Sequence, residues 1–178
     1  MTLRLADFSS EKDLNFICAF FKLPESSLFW SPAKLSISDK SQVYNKLCQD
    51  WGNFYFFLGE KENKICCVLI AYSVSPVHHR ANLLGWLAPE FRKGVSLINF
   101  HTCFMRYLHN LNIHRVFGNV LETNTVAIRA AERFGYIKCG ILPEYINNNG
   151  KISNAVIVTR STEINSLERK YLLKNAIL

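Results

Sequence analysis

The order of periodic segments along the chain predicts an α/β (α+β) fold, with a mixed, mostly antiparallel sheet and helices on both of its faces. Three observations carry that expectation. Two runs rich in β-branched and aromatic residues, Asn53–Gly59 and Lys64–Val74, flank a short charged turn and read as a hairpin. A long helical pattern, Val95–Leu111, lies between two short apolar strands, Ala81–Leu87 and Arg115–Leu121. Near the end, Tyr136–Leu142 and Ser153–Arg160 flank Asn147-Asn148-Asn149-Gly150, a strong second hairpin signal.

The elements follow in order. Thr2–Ala6 alternates weakly and is a candidate first strand. Ser10, with Asp13 three residues later, has the pattern of a capped helix start, and the helix should run to about Phe21. Leu23 to Ile37 contains two prolines and several serines, which predicts a loop with one helical turn at Leu28–Trp30. Ser38–Asp50 carries Val43 and Leu47 on one side and reads as a second helix. The hairpin then turns at Glu60-Lys61-Glu62-Asn63.

In the long helix, Leu97, Phe104, Leu108 and Leu111 share a face flanked by Phe100 and Tyr107. Asn99, Thr102, Arg106 and Asn110 should form the wet stripe opposite. Asn124 is placed to cap a helix with Ala127, Ala130, Ala131 and Phe134 on one side, and Gly135 to end it. Residues Glu163 to Leu178 read as a short amphipathic helical extension. The whole is β-α-α-β-β-β-α-β-α-β-β, with no repeat and no linker, so a single domain over residues 1–178 is expected.

Composition narrows the class. At 49% hydrophobic and 20% charged, the 178 residues are those of an ordinary globular chain rather than a disordered one. No apolar run approaches the roughly 20 residues that span a bilayer. The opening stretch MTLRLADFSSEKD has no apolar signal core, so a cytoplasmic protein with reduced thiols and no membrane partner is expected. Six cysteines lack any C-x-x-C pair and most of them fit a buried, apolar role, with no zinc spacing and no metal expected. The net charge of +7 implies attraction to anions, but no block of five or six basic residues marks a nucleic-acid tail.

One segment carries chemistry. After the strand ending at Leu87 comes Pro89-Glu90-Phe91-Arg92, then the basic turn to Gly94, and a helix begins at once. Strand, glycine turn and helix N-terminus in that order are what a pyrophosphate needs, because free backbone N–H groups and the helix dipole point at it.

With Gly85-Trp86, Pro89-Glu90-Phe91-Arg92, Gly94, Asn124, Ala127, Gly135-Tyr136, Gly140 and the Asn147–Gly150 turn, about the last 110 residues resemble the GNAT family, the Gcn5-related N-acetyltransferases. The branch they are most similar to acetylates the N-terminal amines of ribosomal proteins. The resemblance implies a sheet of about six or seven strands in which Ala81–Leu87 and Arg115–Leu121 form a central parallel pair that splays apart. It implies acetyl-CoA as cosubstrate in that gap, near Leu87, Arg92, Lys93, Gly94, Val95, Ser96 and Asn124. With Gly94 as the family's first glycine, Ser96 stands at the second glycine and Phe91 at the Gln or Arg position; with Arg92 equated to that arginine instead, the turn is one residue short.

For catalysis, Glu122 is the candidate base, and it could equally serve the dipole of the helix that follows. Ala131 stands where many members carry a tyrosine acid. Glu144 and Tyr145, beyond the strand ending at Leu142, are candidate contacts to the acceptor, or solvated loop residues. His101 is expected to be a core histidine; His78, His79 and His114 have no partner spacing for a metal. The implied activity is acetyl transfer to an amine, a protein N-terminus or a small amine. Two alternatives stay open: a GNAT-fold module without catalysis, and an enzyme with a nucleic-acid acceptor. Asn154 stands where the branch has Asp.

Overall fold

The computed structural model describes residues 1–23, 42–92, 96–148, 151–164, 166, 168 and 169. Its elements are β1 (Thr2–Leu5), α1 (Glu11–Phe21), α2 (Val43–Trp51), β2 (Tyr55–Lys61), β3 (Lys64–Ser75), β4 (Arg80–Leu87), α3 (Ser96–Asn110), β5 (Arg115–Leu121), α4 (Thr125–Arg133), β6 (Ile137–Asn148) and β7 (Lys151–Ser161). The strands form one seven-stranded sheet in the order β1-β2-β3-β4-β5-β7-β6. Every neighbouring pair is antiparallel except β4 and β5. The expected loop with its helical turn at Leu28–Trp30, and the start of the Ser38–Asp50 helix, lie outside the described residues.

Strand alternation assigns the two faces. Helix α3 packs Phe100, Phe104, Met105 and Leu108 onto Phe57, Cys67, Leu69, Ala71, Ala81 and Val116. Helices α1 and α2 pack Ile17, Phe20, Val43, Leu47 and Trp51 onto Phe56, Leu58, Val68, Ile70 and Leu84 of the opposite face. Val120 of β5 lies four residues beyond Val116, so it shares α3's face. It packs with Ile128 of α4 and Val156 and Val158 of β7. Helices α3 and α4 therefore lie side by side on one face, and α1 and α2 cover the other.

Close contact of α3 with the sheet depends on Gly59: an added Cβ there would lie 2.7 Å from Cys67 Cβ and 2.8 Å from the Phe100 ring. That distance is below van der Waals contact, so no larger residue fits without moving the helix.

Several sequence expectations are refined. The hairpin turn is the two-residue Glu62-Asn63, both at positive φ (53° and 63°), which matches the right-handed twist of the flanking strands. The Ser10 side chain caps nothing. Asp13 instead turns back: Arg4 donates to both its oxygens at 2.6 and 2.8 Å, and the Asp7 N–H donates to Oδ2 at 2.9 Å. Arg4 also donates to Glu60 at 2.8 Å, tying β1, α1 and β2 together. Thr102, expected on the wet stripe of α3, is buried, while Leu111 lies past the helix end and is exposed. Next to Thr102, His101 meets a second packing surface beside the sheet, where it stacks on Phe134 and approaches Glu168. All six cysteines are free; Cys139 is exposed rather than buried.

Residue 168 belongs to the expected C-terminal extension and is buried at 1% exposure. Arg160 donates to both Glu168 carboxylate oxygens at 3.0 Å. Its other N–H groups go to the carbonyls of Phe134, Glu163 and Ser161. All five guanidinium donors are thereby engaged. Next to this pair His101 is buried, with Nε2 3.0 Å from the Tyr136 hydroxyl and Nδ1 3.4 Å from Glu168 Oε1. It is the core histidine that the sequence suggested, and burial holds its pKa below the usual value.

Candidate active site

The parallel strands β4 and β5 pair over only three positions: Arg80 with Arg115, Ala81 with Val116, and Asn82 with Phe117. Beyond them the strands part, although each stays fully paired on its outer side. Leu83 to Leu87 remain in register with Ala71 to Cys67 of β3, and Gly118 to Leu121 with Val158 to Ala155 of β7. Each strand follows its own antiparallel neighbour, and the gap between them widens into a V. Gly118 sits at the point of separation, where an added Cβ would lie 4.0 Å from the Leu83 carbonyl and 3.3 Å from Val158.

The consequence is chemical. The inner backbone edges of Leu83–Leu87 and Gly118–Leu121 carry N–H and C=O groups that strand pairing leaves open. Such an edge takes an extended ligand that has amide groups of its own.

At the wide end, Ala88 opens a turn of 3-10 helix, Pro89–Phe91, and Arg92 folds back so that its Nε donates to the Leu87 carbonyl at 3.0 Å. Arg92 is thus anchored on the last residue of β4, at the approach to α3. Lys93, Gly94 and Val95, the heart of the expected phosphate turn, lie outside the described residues; Ser96 is the first residue of the described α3. Across the gap, Asn124 caps α4 as expected, its Oδ1 accepting the Ala127 N–H at 3.1 Å. Gly135 follows α4 with φ of 82°, the left-handed position that favours glycine.

Glu122 follows β5 directly. Its backbone N–H donates to the Asn154 carbonyl at 3.0 Å, and its Oε2 accepts from Asn154 Nδ2 at 2.9 Å. The carboxylate is therefore held on the β7 side of β5, whereas the V opens on the β4 side. Asn154 Oδ1 in turn accepts the Glu144 N–H at 3.1 Å. Glu144 and Tyr145, expected beyond the end of a strand, lie inside a longer β6, where its register against β7 shifts between Leu142 and Ile146. Pro143 in that stretch cannot donate to the ladder, and Glu144 adopts a positive φ of 52°. Both side chains are exposed. Ala131, at the family's tyrosine position, packs in the small cluster under α4. Tyr136 is no substitute acid: its hydroxyl is committed to His101, and burial pushes its pKa up.

On the α1/α2 face, a cleft of about 320 Å³ opens over the root of the V, lined by Ser73, Ser75, Arg80, Asn82, Phe117 and Asn119 among others. None of these was singled out from sequence. The available signal was Asn119, an amide inside the otherwise apolar strand Arg115–Leu121. Among the described residues no group of three or more His, Cys, Asp or Glu side chains could hold a metal, and no helix is long and apolar enough to cross a membrane.

No protein-family model matches the sequence, and no curated protein matches it either. Solved structures do. A spermidine N-acetyltransferase from Vibrio cholerae, in complex with CoA and spermine, is similar over 90% of this chain and 95% of its own, at TM-score 0.77 and 20% identity. A ribosomal-protein-alanine N-acetyltransferase from Brucella melitensis is similar over 90% and 99%, at TM-score 0.71 and 16% identity. At that identity the likeness is one of backbone architecture. The splayed parallel pair at the centre of a mostly antiparallel sheet is the feature the sequence resemblance implied, and the chain has the fold of the GNAT N-acetyltransferases.

Proposed function

We propose that this chain is an acetyl-CoA-dependent N-acetyltransferase that acts on an amine. The single observation that carries the reading is the V between β4 and β5, with two open backbone edges inside an otherwise paired sheet. Those edges fit the amides of a pantetheine arm, and the approach to α3 fits the pyrophosphate. In this proposal Leu87 sits at the wide end of the gap, where Arg92 fixes the turn. The N–H groups of Gly94, Val95 and Ser96 meet the phosphates, Lys93 adds charge, and Asn124 holds the start of α4 opposite. Acetyl-CoA supplies a thioester carbonyl for attack.

The acceptor nitrogen forms the new C–N bond as the C–S bond breaks, the sulfur leaves with the bonding pair as the CoA thiolate and is protonated from solvent, and the amine must lose one proton. Glu122 is proposed to accept it through solvent, since Asn154 occupies only one of its oxygens. Glu144 and Tyr145 lie exposed beyond it and are proposed to meet the acceptor. A protein N-terminus and a small amine are both acceptors of this kind; the CoA and spermine in the Vibrio cholerae enzyme's complex illustrate the second.

Calorimetry with acetyl-CoA tests the reading. Heat with a Kd below a few hundred micromolar, about −5 kcal/mol or better, is expected. Absence of heat at that concentration would leave the fold as a non-catalytic module. Gly94→Pro removes an N–H from the proposed cradle and should abolish binding. Glu122→Gln should lower kcat/KM by at least about tenfold with CoA affinity unchanged, because general base catalysis typically contributes 10²–10⁴.

A further inference from the structure

The root of the V has an electrostatic feature that the transfer reaction does not use. Arg80 and Arg115 are Cα partners at the first paired position of β4 and β5. Partners on adjacent strands lie about 4.8 Å apart and point to the same face. The alternation of β4 fixes which one: Ala81 faces α3, so Arg80 and Asn82 face the α1/α2 side, with Arg115, Phe117 and Asn119 beside them. Neither guanidinium makes an ion pair or hydrogen bond among the described residues. Like charges directly opposite on paired strands repel, and because both side chains are exposed, solvent screens much of that repulsion while leaving the positive charge available to an anion.

Arg80 also lines the cleft of about 320 Å³, together with the amides of Asn82 and Asn119 and the hydroxyls of Ser73 and Ser75. The described lining contains no carboxylate. Ser73 and Ser75 reach it because β3 is irregular between Tyr72 and Ser75, with Ser73 at φ of 49°. A bulge of this kind re-aims side chains next to a site. The cleft thus joins hydrogen-bond donors to an unneutralised arginine, the combination that selects an oxyanion and repels a second cation.

We propose that this cleft is the acceptor site, and that it takes a small amine bearing an oxyacid group, carboxylate or phosphate, with Arg80 binding the acid and Arg115 adding charge behind it. This rests on the acetyltransferase reading for the role of the amine, but not for the binding of the acid. From Arg80 to Leu83, the first position of β4 unpaired with β5, is three residues, or about 10 Å. The amine and the acid of the acceptor are therefore separated by a spacer of several bonds. The site discriminates against a polycation such as spermidine.

The test is calorimetry on the full chain with 6-aminohexanoate, 4-aminobutyl phosphate, hexylamine and spermidine, with acetyl-CoA titrated separately. At least one of the two acids should bind tenfold or more tightly than hexylamine, and the tighter of the two names the oxyanion. Arg80→Gln should erase that ratio and Arg80→Lys restore part of it, with melting temperatures confirming that both variants fold. The proposal is overturned if hexylamine or spermidine binds as tightly as the acids, or if Arg80→Gln leaves the ratio unchanged. Acid selectivity without CoA binding would sink the acetyltransferase reading and leave the oxyanion site standing. CoA binding without acid selectivity would do the reverse.

Discussion

Among the described residues, helices cover β1 to β4 on both faces, whereas β5, β7 and β6 are covered on one face, by α3 at Val116 and by α4. Around the first group the apolar clusters include Phe56, Leu58, Ile70, Phe100, Phe104 and Leu108, all at 2% exposure or less. Under α4 the buried cluster among the described residues is Ile128, Val156 and Val158, and β6 leaves Ile137 and Ile141 more than half exposed. The second half compensates with directional contacts. Arg160 and Glu168 pin the C-terminal segment, the Thr159 and Thr162 hydroxyls donate to carbonyls at Val116 and Ile113, and Asn154 joins Glu122 to the β6 irregularity. One half is held by burial, which is non-directional, and the other by polar geometry, which fixes orientation. The V lies on their border, joined by three residue pairs, so each half sets the direction of one of its walls.

The sharpest way to break this comparison is to attack each half by its own mechanism. Glu168→Gln leaves the Arg160 guanidinium buried without its counter-charge and should cost about 3–5 kcal/mol in chemical denaturation. Replacing both partners with apolar residues should recover only part of that loss, because the carbonyls of Phe134, Ser161 and Glu163 lose their donor. Phe104→Ala empties part of the core under α3 and should also cost about 3–5 kcal/mol, with no such recovery from a polar partner. A Glu168→Gln loss under about 1 kcal/mol would show that the polar tether is not what holds the second half.

Asn154→Ala should have a smaller effect, about 1–2 kcal/mol, because it removes hydrogen bonds at a half-buried position. Amide exchange should accelerate at Glu144 while remaining unchanged in β2 and β3. Equal acceleration in both regions would mean that the halves do not open separately.

The smallest effect is in the pH profile. Burial beside Arg160, Phe134 and Tyr136 lowers the His101 pKa despite nearby Glu168, so the unfolded chain takes up this proton first. Its stabilising contribution is complete above about pH 6.5 and is lost as pH falls below that value. Asp13 and Glu60, held below the usual carboxylate range by Arg4, act in the same direction further down. Their contribution is complete above about pH 4 and lost as pH falls through their lowered values. His101→Gln should flatten the slope between about pH 6.5 and 5, by no more than about 1.4 kcal/mol per pH unit. An unchanged slope would place the acid sensitivity elsewhere.

The sequence by itself determined what short-range chemistry controls. Asn124 caps α4 and Gly135 ends it because an N-cap amide and a left-handed glycine act within four residues of their own backbone. Glu62-Asn63 turns a hairpin for the same local reason, and strand-helix order and the GNAT resemblance follow from such segments. Helical periodicity could not place Thr102, which is buried, since one wheel does not reveal a second packing surface such as the one His101 meets at Phe134 and Glu168. Nor could it show Asp13 turning to Arg4 across nine residues.

The site was legible only in part. The order of β4, a turn and α3 could be read, although Lys93, Gly94 and Val95 lie outside the described residues, and the tertiary structure decided the rest. Glu122 meets Asn154 across 32 residues, and Arg80 meets Arg115 only because β4 and β5 pair in one parallel register. Pairing register and strand divergence depend on how two half-sheets pack, a long-range property that no local pattern encodes.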